Sequence, residues 1–138
     1  MLIEPYLFFE GRCEEALAFY RQALGAEVTM LMRYKESPEP PPPDSRLPPG
    51  NEDKIMHANV RIGDSVIMVS DGMCSGEAGF HGFALSLSTD SEAEAKKWFT
   101  ALSEKGEVRM PLAKTFFSPC FGMVTDRFGL SWMVNVMT

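Results

Sequence analysis

An internal echo limits what this chain can fold into. Ala16-x-x-Phe19-Tyr20 is matched, much later, by Ala95-x-x-Trp98-Phe99. Each motif sits in a stretch with helical spacing of apolar residues. In the first, Cys13, Leu17, Tyr20 and Leu24 form a stripe that Ala16, Phe19 and Ala23 widen. In the second, Ala95, Trp98, Phe99 and Leu102 fall at i, i+3, i+4 and i+7. Each stretch follows a strand-like segment (3–9 and 83–88) and ends at a glycine, Gly25 or Gly106, with Glu-Val close behind. Three further strand candidates follow each helix: 27–34, 55–62 and 65–71, then 107–112, 122–125 and 131–136. Each half therefore reads β-α-β-β-β, and the chain is of the α+β class.

Local signals sharpen this outline. Pro5 cannot donate to a ladder and belongs at a strand start or edge. Gly63-Asp64 joins two strand runs as a two-residue hairpin turn. Ser91-x-x-Glu94 has the spacing of a capping box and opens the second helix. Within 55–62, Met56, Ala58, Val60 and Ile62 share one face, and His57, Asn59 and Arg61 share the other. That alternation predicts one buried and one wet face. Between Ser37 and Asp53 lie most of the ten prolines, including Pro40 to Pro43. A proline run excludes helix and central strand, so this segment reads as a long loop inside the domain, and loops of that length are often functional.

Composition excludes several function classes. Nineteen acidic against thirteen basic side chains leave a net charge of -6. Phosphate binding needs a basic footprint, so no nucleic-acid partner is expected. No apolar run reaches the length of a membrane span, and Met1-Leu-Ile-Glu-Pro-Tyr has no export pattern, so a cytoplasmic protein without a membrane partner is expected. Cys13, Cys74 and Cys120 are odd in number and dispersed, which fits reduced thiols better than a disulfide framework or a zinc site. Gly72, Gly76 and Gly79 lead into a strand. A nucleotide or S-adenosylmethionine loop would lead into a helix N-terminus, so that reading fails.

Several segments together resemble the PhnB-like branch of the vicinal-oxygen-chelate (glyoxalase/bleomycin-resistance/dioxygenase) superfamily. They are Pro5-Tyr6-Leu7-x-Phe9-x-Gly11-x-Cys13-x-Glu15-Ala16, Phe19-Tyr20-x-x-x-Leu24-Gly25, Ile55-Met56-His57-Ala58, Ser70-Asp71, and Asp126-x-Phe128-Gly129-x-x-Trp132-Met133-x-Asn135. They run from the first strand to the last. The resemblance implies two tandem βαβββ modules, about 1–80 and 81–138, forming a curved mixed sheet around a cleft in one domain. It also implies a homodimer.

Metal-dependent members of that superfamily place His or Glu on the first strand of each module and Glu on the last strands. Carried onto this chain, the last-strand glutamate slot is Met133, and a thioether is a poor ligand for hard divalent ions. The first-strand slot falls around Pro5 and Tyr6, and His81 lies near the slot of the second module. Met133, Pro5 and Tyr6 are poor ligands, so no metal cofactor is expected. The resemblance then implies a metal-free protein binding a small, partly apolar molecule, with His57, Asn59, Arg61, Asp71, Met133 and Asn135 as candidate contacts. The bland readings are a ladder-end hydrogen bond for His57, a backbone-capping amide for Asn135 and a turn-opening side chain for Asp71. Phe116, Phe117 and Phe121 read as cleft mouth, core or dimer contact. The competing functional reading is a metal-dependent lyase, isomerase or dioxygenase with a replacement site built from His57, His81 and Asp71. A third is a dimeric interaction module without substrate.

Overall fold

A computed structural model describes residues 1–39 and 47–137, so the Pro40–Pro43 run lies outside the described residues. The elements run β1 (Tyr6–Phe8), α1 (Cys13–Leu24), β2 (Glu27–Arg33), β3 (Ile55–Ile62) and β4 (Ser65–Ser70). They continue with β5 (Leu85–Thr89), α2 (Glu92–Ser103), β6 (Glu107–Ala113), β7 (Phe121–Thr125) and β8 (Ser131–Val136). A single 3₁₀ turn, Tyr34–Glu36, follows β2. The chain divides into two compact units, Met1–Ala78 and Gly79–Thr138, each with one mixed four-stranded sheet. The tandem βαβββ reading holds in both.

In the first unit the strand order is β1-β4-β3-β2, with β1 parallel to β4 and the other pairs antiparallel. The parallel pair forms because α1 carries the chain across the sheet after β1. The face built from Leu7, Val69, Ala58, Val60 and Ile67 is buried together with Ala16, Leu17 and Tyr20 of α1. Burying each large apolar side chain there contributes about 1.5–3 kcal/mol. Phe9 and Tyr20, both fully buried, pack with tilted rings 6.1 Å apart. Gly25 ends α1 in the left-handed conformation (φ 69°), which glycine adopts without a Cβ penalty.

The N-terminus of α1 is capped from far away. Arg12, the preceding residue, makes no side-chain cap. Asp71, just past β4, instead accepts the backbone N–H of Gly11 (2.9 Å) and of Cys13 (2.8 Å) on one oxygen. Its other oxygen accepts the N–H of Ile55 at the start of β3 (2.8 Å). One carboxylate thus ties helix, turn and strand together.

β2 and β3 are joined by the long proline-bearing connection, and pairing continues past the strand ends. Tyr34 N–H donates to the Lys54 carbonyl (3.1 Å) and Lys35 N–H to the Glu52 carbonyl (2.9 Å). An ion pair between Lys35 and Asp53 (2.6 Å) lies at the same place.

The second unit repeats the plan as β5-β8-β7-β6, with β5 parallel to β8. Trp132, Val134 and Val136 on β8 are buried with Phe99 and Leu102 of α2. Gly122 on β7 permits that contact. A Cβ there would sit 2.8 Å from the Phe99 ring, 3.0 Å from Leu112 and 3.0 Å from the Met110 carbonyl. The expected capping box at Ser91 is half formed. Ser91 Oγ accepts Glu94 N–H (3.2 Å), but the Ser91 N–H donates to Thr89 Oγ1 (3.1 Å) rather than to Glu94. Asp126 plays a local role similar to that of Asp71, accepting from Phe128 N–H, Leu130 N–H and the Trp132 indole (2.9, 3.1 and 2.9 Å).

Candidate functional site

The face of the first sheet opposite α1 carries a line of polar side chains in an apolar setting. Its composition follows from the period of two along each strand. β1 contributes Tyr6 and Phe8, both exposed, while Leu7 between them is buried. β3 contributes His57 and Asn59, both half-buried. Register then sets the neighbours: Tyr6 lies opposite Met68, Met68 opposite Asn59, Asn59 opposite Met30, and His57 opposite Met32. Thioethers therefore flank the polar line. Methionine is unbranched and polarizable, which lets such a surface adapt to the shape of a bound molecule.

The polar line is continuous. Tyr6 Oη lies 2.8 Å from His57 Nδ1, and His57 Nε2 lies 2.8 Å from Asn59 Oδ1. With the amide oxygen turned to Nε2, that nitrogen carries the ring proton and Nδ1 accepts from the Tyr6 hydroxyl. The Tyr6 and His57 rings are 5.4 Å apart, and the Tyr6 and Phe8 rings 5.0 Å. The amide NH2 of Asn59 has no hydrogen-bond partner among the described residues.

A second phenol stands nearby. Tyr34 donates to the Gly72 carbonyl. Burial pushes both the Tyr6 and Tyr34 phenols up from their ordinary value, and the Ser70 hydroxyl acts against that shift in each case. Both phenols therefore hold their protons at neutral pH. Ser70 itself is 3% exposed and accepts the Gly72 N–H at 2.9 Å.

The other sequence-predicted contacts are placed differently. Arg61 shares the face of His57 and Asn59, but its guanidinium is paired with Glu27, its cross-strand neighbour on β2. Asp71 is 1% exposed, with both carboxylate oxygens holding backbone N–H groups. Met133 and Asn135 belong to the second unit. There Met133 aligns with Met123 and Ser86, and Met123 with Met110, making a methionine row on the side of the sheet away from Trp132 and Val134. Asn135 falls in the next row between Ser88 and Phe121, and its Oδ1 is shielded from solvent without a hydrogen-bond partner among the described residues. Phe121 is buried, Phe117 packs edge-on against it at 5.0 Å, and Phe116 is fully exposed.

Sequence reasoning missed the contact of Tyr6 with His57 and the placement of the methionines at 30, 32 and 68 beside it. Tyr6 entered as part of the first resembling segment and as an unsuitable metal slot, not as a candidate contact. The signal was present in the alternation Tyr6-Leu7-Phe8, which puts two aromatic rings on the face of β1 opposite its one core residue.

The donor set does not fit the divalent metal of the metal-dependent superfamily members. Met133, at the position where the resemblance implies a glutamate, is a thioether, and Tyr6 hydrogen-bonds His57. His81 is an exposed residue of the second unit ahead of β5, beside Gly79. Among the described residues no three His, Cys, Asp or Glu side chains are grouped to hold an ion. No helix of the described residues is long and apolar enough to cross a membrane.

Comparison with known proteins agrees with this architecture. Residues 2–134 match the model of the Glyoxalase/Bleomycin resistance protein/Dioxygenase superfamily. Protein YjdN of Escherichia coli (strain K12) is 40% identical over 141 residues, spanning 99% of this chain and 96% of that protein. The solved structure of protein PA1353 from Pseudomonas aeruginosa is 42% identical, with a TM-score of 0.84 over 99% of this chain and 98% of that one. That of the PhnB protein from Bacillus cereus is 28% identical, with a TM-score of 0.75 over 99% of each chain. With the duplicated βαβββ fold in place, the chain belongs to the glyoxalase/bleomycin resistance protein/dioxygenase superfamily, in its PhnB-like branch.

Proposed function

We propose that the protein binds a small, partly apolar molecule without a metal, on the open face of the first unit's sheet. The observation that carries this reading is the Tyr6–His57–Asn59 line set among Met30, Met32, Met68 and Phe8. Binding sites of this kind combine apolar and aromatic walls with a few placed polar groups. His57 and Asn59 orient the ligand, and Met30 and Met68 give its apolar body a deformable seat on either side of Asn59. Arg61 stands at the rim, held by Glu27. Asp71 supports the site from behind by fixing the start of β3. The methionine row and Asn135 of the second unit offer ligand contacts of the same chemical kind. A cytoplasmic homodimer is the setting in which this activity is proposed.

The reading is tested by metal analysis and methyl NMR. Protein purified without a metal-affinity tag is expected to hold no stoichiometric metal and to show no thermal shift with Mg²⁺, Mn²⁺, Fe²⁺, Ni²⁺ or Zn²⁺. In protein labelled at the methionine methyls, a panel of flat aromatic ketones and phenols is expected to move Met30, Met32 and Met68 first. Near-stoichiometric metal that His57→Ala removes would overturn the metal-free reading. Shifts confined to other methionines would overturn the placement of the site.

A further inference from the structure

We infer that the methionine row of the second unit, Met110, Met123 and Met133, is a binding site for a soft monovalent metal ion, Cu(I). The site lies within one sheet and does not depend on the Tyr6–His57 face of the first unit. None of the chain's ten methionines is buried in a core. Methionine ordinarily fills irregular gaps in cores, so its placement on open sheet faces calls for another use. In the first unit the thioethers are kept apart: Met30 and Met68 stand on either side of Asn59. In the second unit three stand on adjacent strands with nothing between them, Met110 opposite Met123 and Met123 opposite Met133.

The spacing suits one ion. Neighbouring strands lie about 4.8 Å apart, and a methionine side chain turns about three bonds. Inward leans of Met110 and Met133 by part of one strand spacing bring three sulfurs around an ion above Met123. The β6–β7 pairing is irregular on both sides of Met110, toward Val108 and toward Ala113, yet Met110 keeps its place opposite Met123. Bulges re-aim side chains, and these two flank the residue that closes the row. Met123 and Met133 are half-buried and Met110 is 45% exposed, so the row opens to solvent at the β6 edge.

The donors choose the ion. Thioether sulfur is neutral and polarizable, and it selects Cu(I) over hard divalent ions. Ser86, opposite Met133, continues the row without charge. In the adjoining row Glu107 lies opposite Thr125, and its carboxylate pairs with Arg109 (3.4 Å). Charge beside the row is thus balanced, and the sulfurs set the selectivity. This set shares only position 133 with the His and Glu ligands that the family resemblance implies. Three neutral sulfurs hold an ion reversibly, so the protein takes up and releases Cu(I) rather than keeping it as a resident cofactor. The metal-free reading of the first unit's face is unaffected.

The test titrates Ag⁺, a redox-stable stand-in for Cu(I), in chloride-free buffer. The full-length protein carries labelled methionine methyls and Cys74→Ser, which removes the partly exposed thiol that would compete. One equivalent is expected to move the Met110, Met123 and Met133 signals together and to leave Met30, Met32 and Met68 in place. Cu(I), supplied under argon as its acetonitrile complex, is expected to give the same pattern, and Zn²⁺ none. Met123→Leu keeps size and apolarity but removes the central sulfur. It is expected to weaken Ag⁺ binding more than about tenfold, since loss of a supporting partner alone costs about 10–100-fold in metal affinity. Unchanged first-unit signals report that the variant folds, and Met110→Leu at the exposed edge gives the same readout should it not. Shifts confined to Met73 and Met137, or binding undiminished in both leucine variants, would overturn the site. An equal response to Zn²⁺, or Ag⁺ binding without Cu(I) binding, would overturn the choice of ion.

Discussion

Asp71 Oδ1 accepts the backbone N–H of Cys13 at 2.8 Å, joining residues 58 positions apart in sequence. The same carboxylate also holds Gly11 and Ile55, so its loss strands three N–H groups next to a buried helix end. Asp71→Ala is expected to lower unfolding stability by about 3–5 kcal/mol, as for other buried charged groups whose removal leaves partners unsatisfied. Asp71→Asn should cost less, because one oxygen still accepts. Urea denaturation followed by circular dichroism checks both. Equal, small losses would remove Asp71 from its supporting role.

Gly122→Ala places a methyl group 2.8 Å from Phe99 and 3.0 Å from the Met110 carbonyl. Overpacking of this kind costs about 1–3 kcal/mol. The Phe99 ring is one obstacle, so Phe99→Leu in the Gly122→Ala background should recover part of the loss relative to the sum of the single changes. A double-mutant cycle in urea measures that coupling. Strict additivity would show that α2 moves aside instead.

The thiols make a prediction about pH. Burial, followed by the nearby Asp71 and Glu14 carboxylates, pushes the Cys13 thiol well above its ordinary value. Burial, then Asp71, also raises Cys74, which is only partly covered. An aromatic disulfide reagent should therefore titrate Cys74 alone in native protein, and more slowly than a free thiol at the same pH. Cys13 and Cys120 should react after unfolding. For stability, the folded state keeps the Cys13 proton at pH values where the unfolded chain has released it. The Cys13 contribution is thus whole below the unfolded thiol value of about 8.5 and declines as pH rises above it. Cys13→Ala should flatten that alkaline decline, and an unchanged slope would assign it to Cys74, Tyr6 and Tyr34 instead.

Much of the fold was legible because it follows from local periodicity. Helix α1 begins at Cys13 and stops at Leu24 as its apolar stripe and Gly25 required. β3 and β8 keep their expected bounds; β8 alternates strictly over its length, whereas β3 alternates only from His57 to Arg61, with Ile55 fully buried and Met56 and Ile62 of the expected core face half-buried. β1 starts at Tyr6 rather than residue 3, because Pro5 offers only its carbonyl, to Met68 N–H (2.9 Å).

The site was legible only in part. Alternation put His57, Asn59 and Arg61 on one face, but nothing local states that Tyr6, 51 residues before His57, meets it. That contact exists because β1 pairs with β4, a parallel pairing set by the whole module. Arg61 read as a candidate ligand contact because residue patterns do not mark the β2–β3 register that brings Glu27 opposite it. Asp71 read as a candidate ligand contact or a turn-opening side chain because its partners, Gly11, Cys13 and Ile55, lie on other elements.

The pairing that runs on past β2 and β3, through Tyr34 with Lys54 and Lys35 with Glu52, bears on how this family can diversify. Once the base of a connection is clamped, its length is nearly neutral to stability, since each doubling adds only about 0.6 kcal/mol of closure entropy. The β2–β3 connection is thus a place where residues can be inserted or deleted while the sheet carrying Tyr6 and His57 keeps its register. In an engineered version, a peptide or reporter grafted there should leave the face carrying Tyr6 and His57 intact.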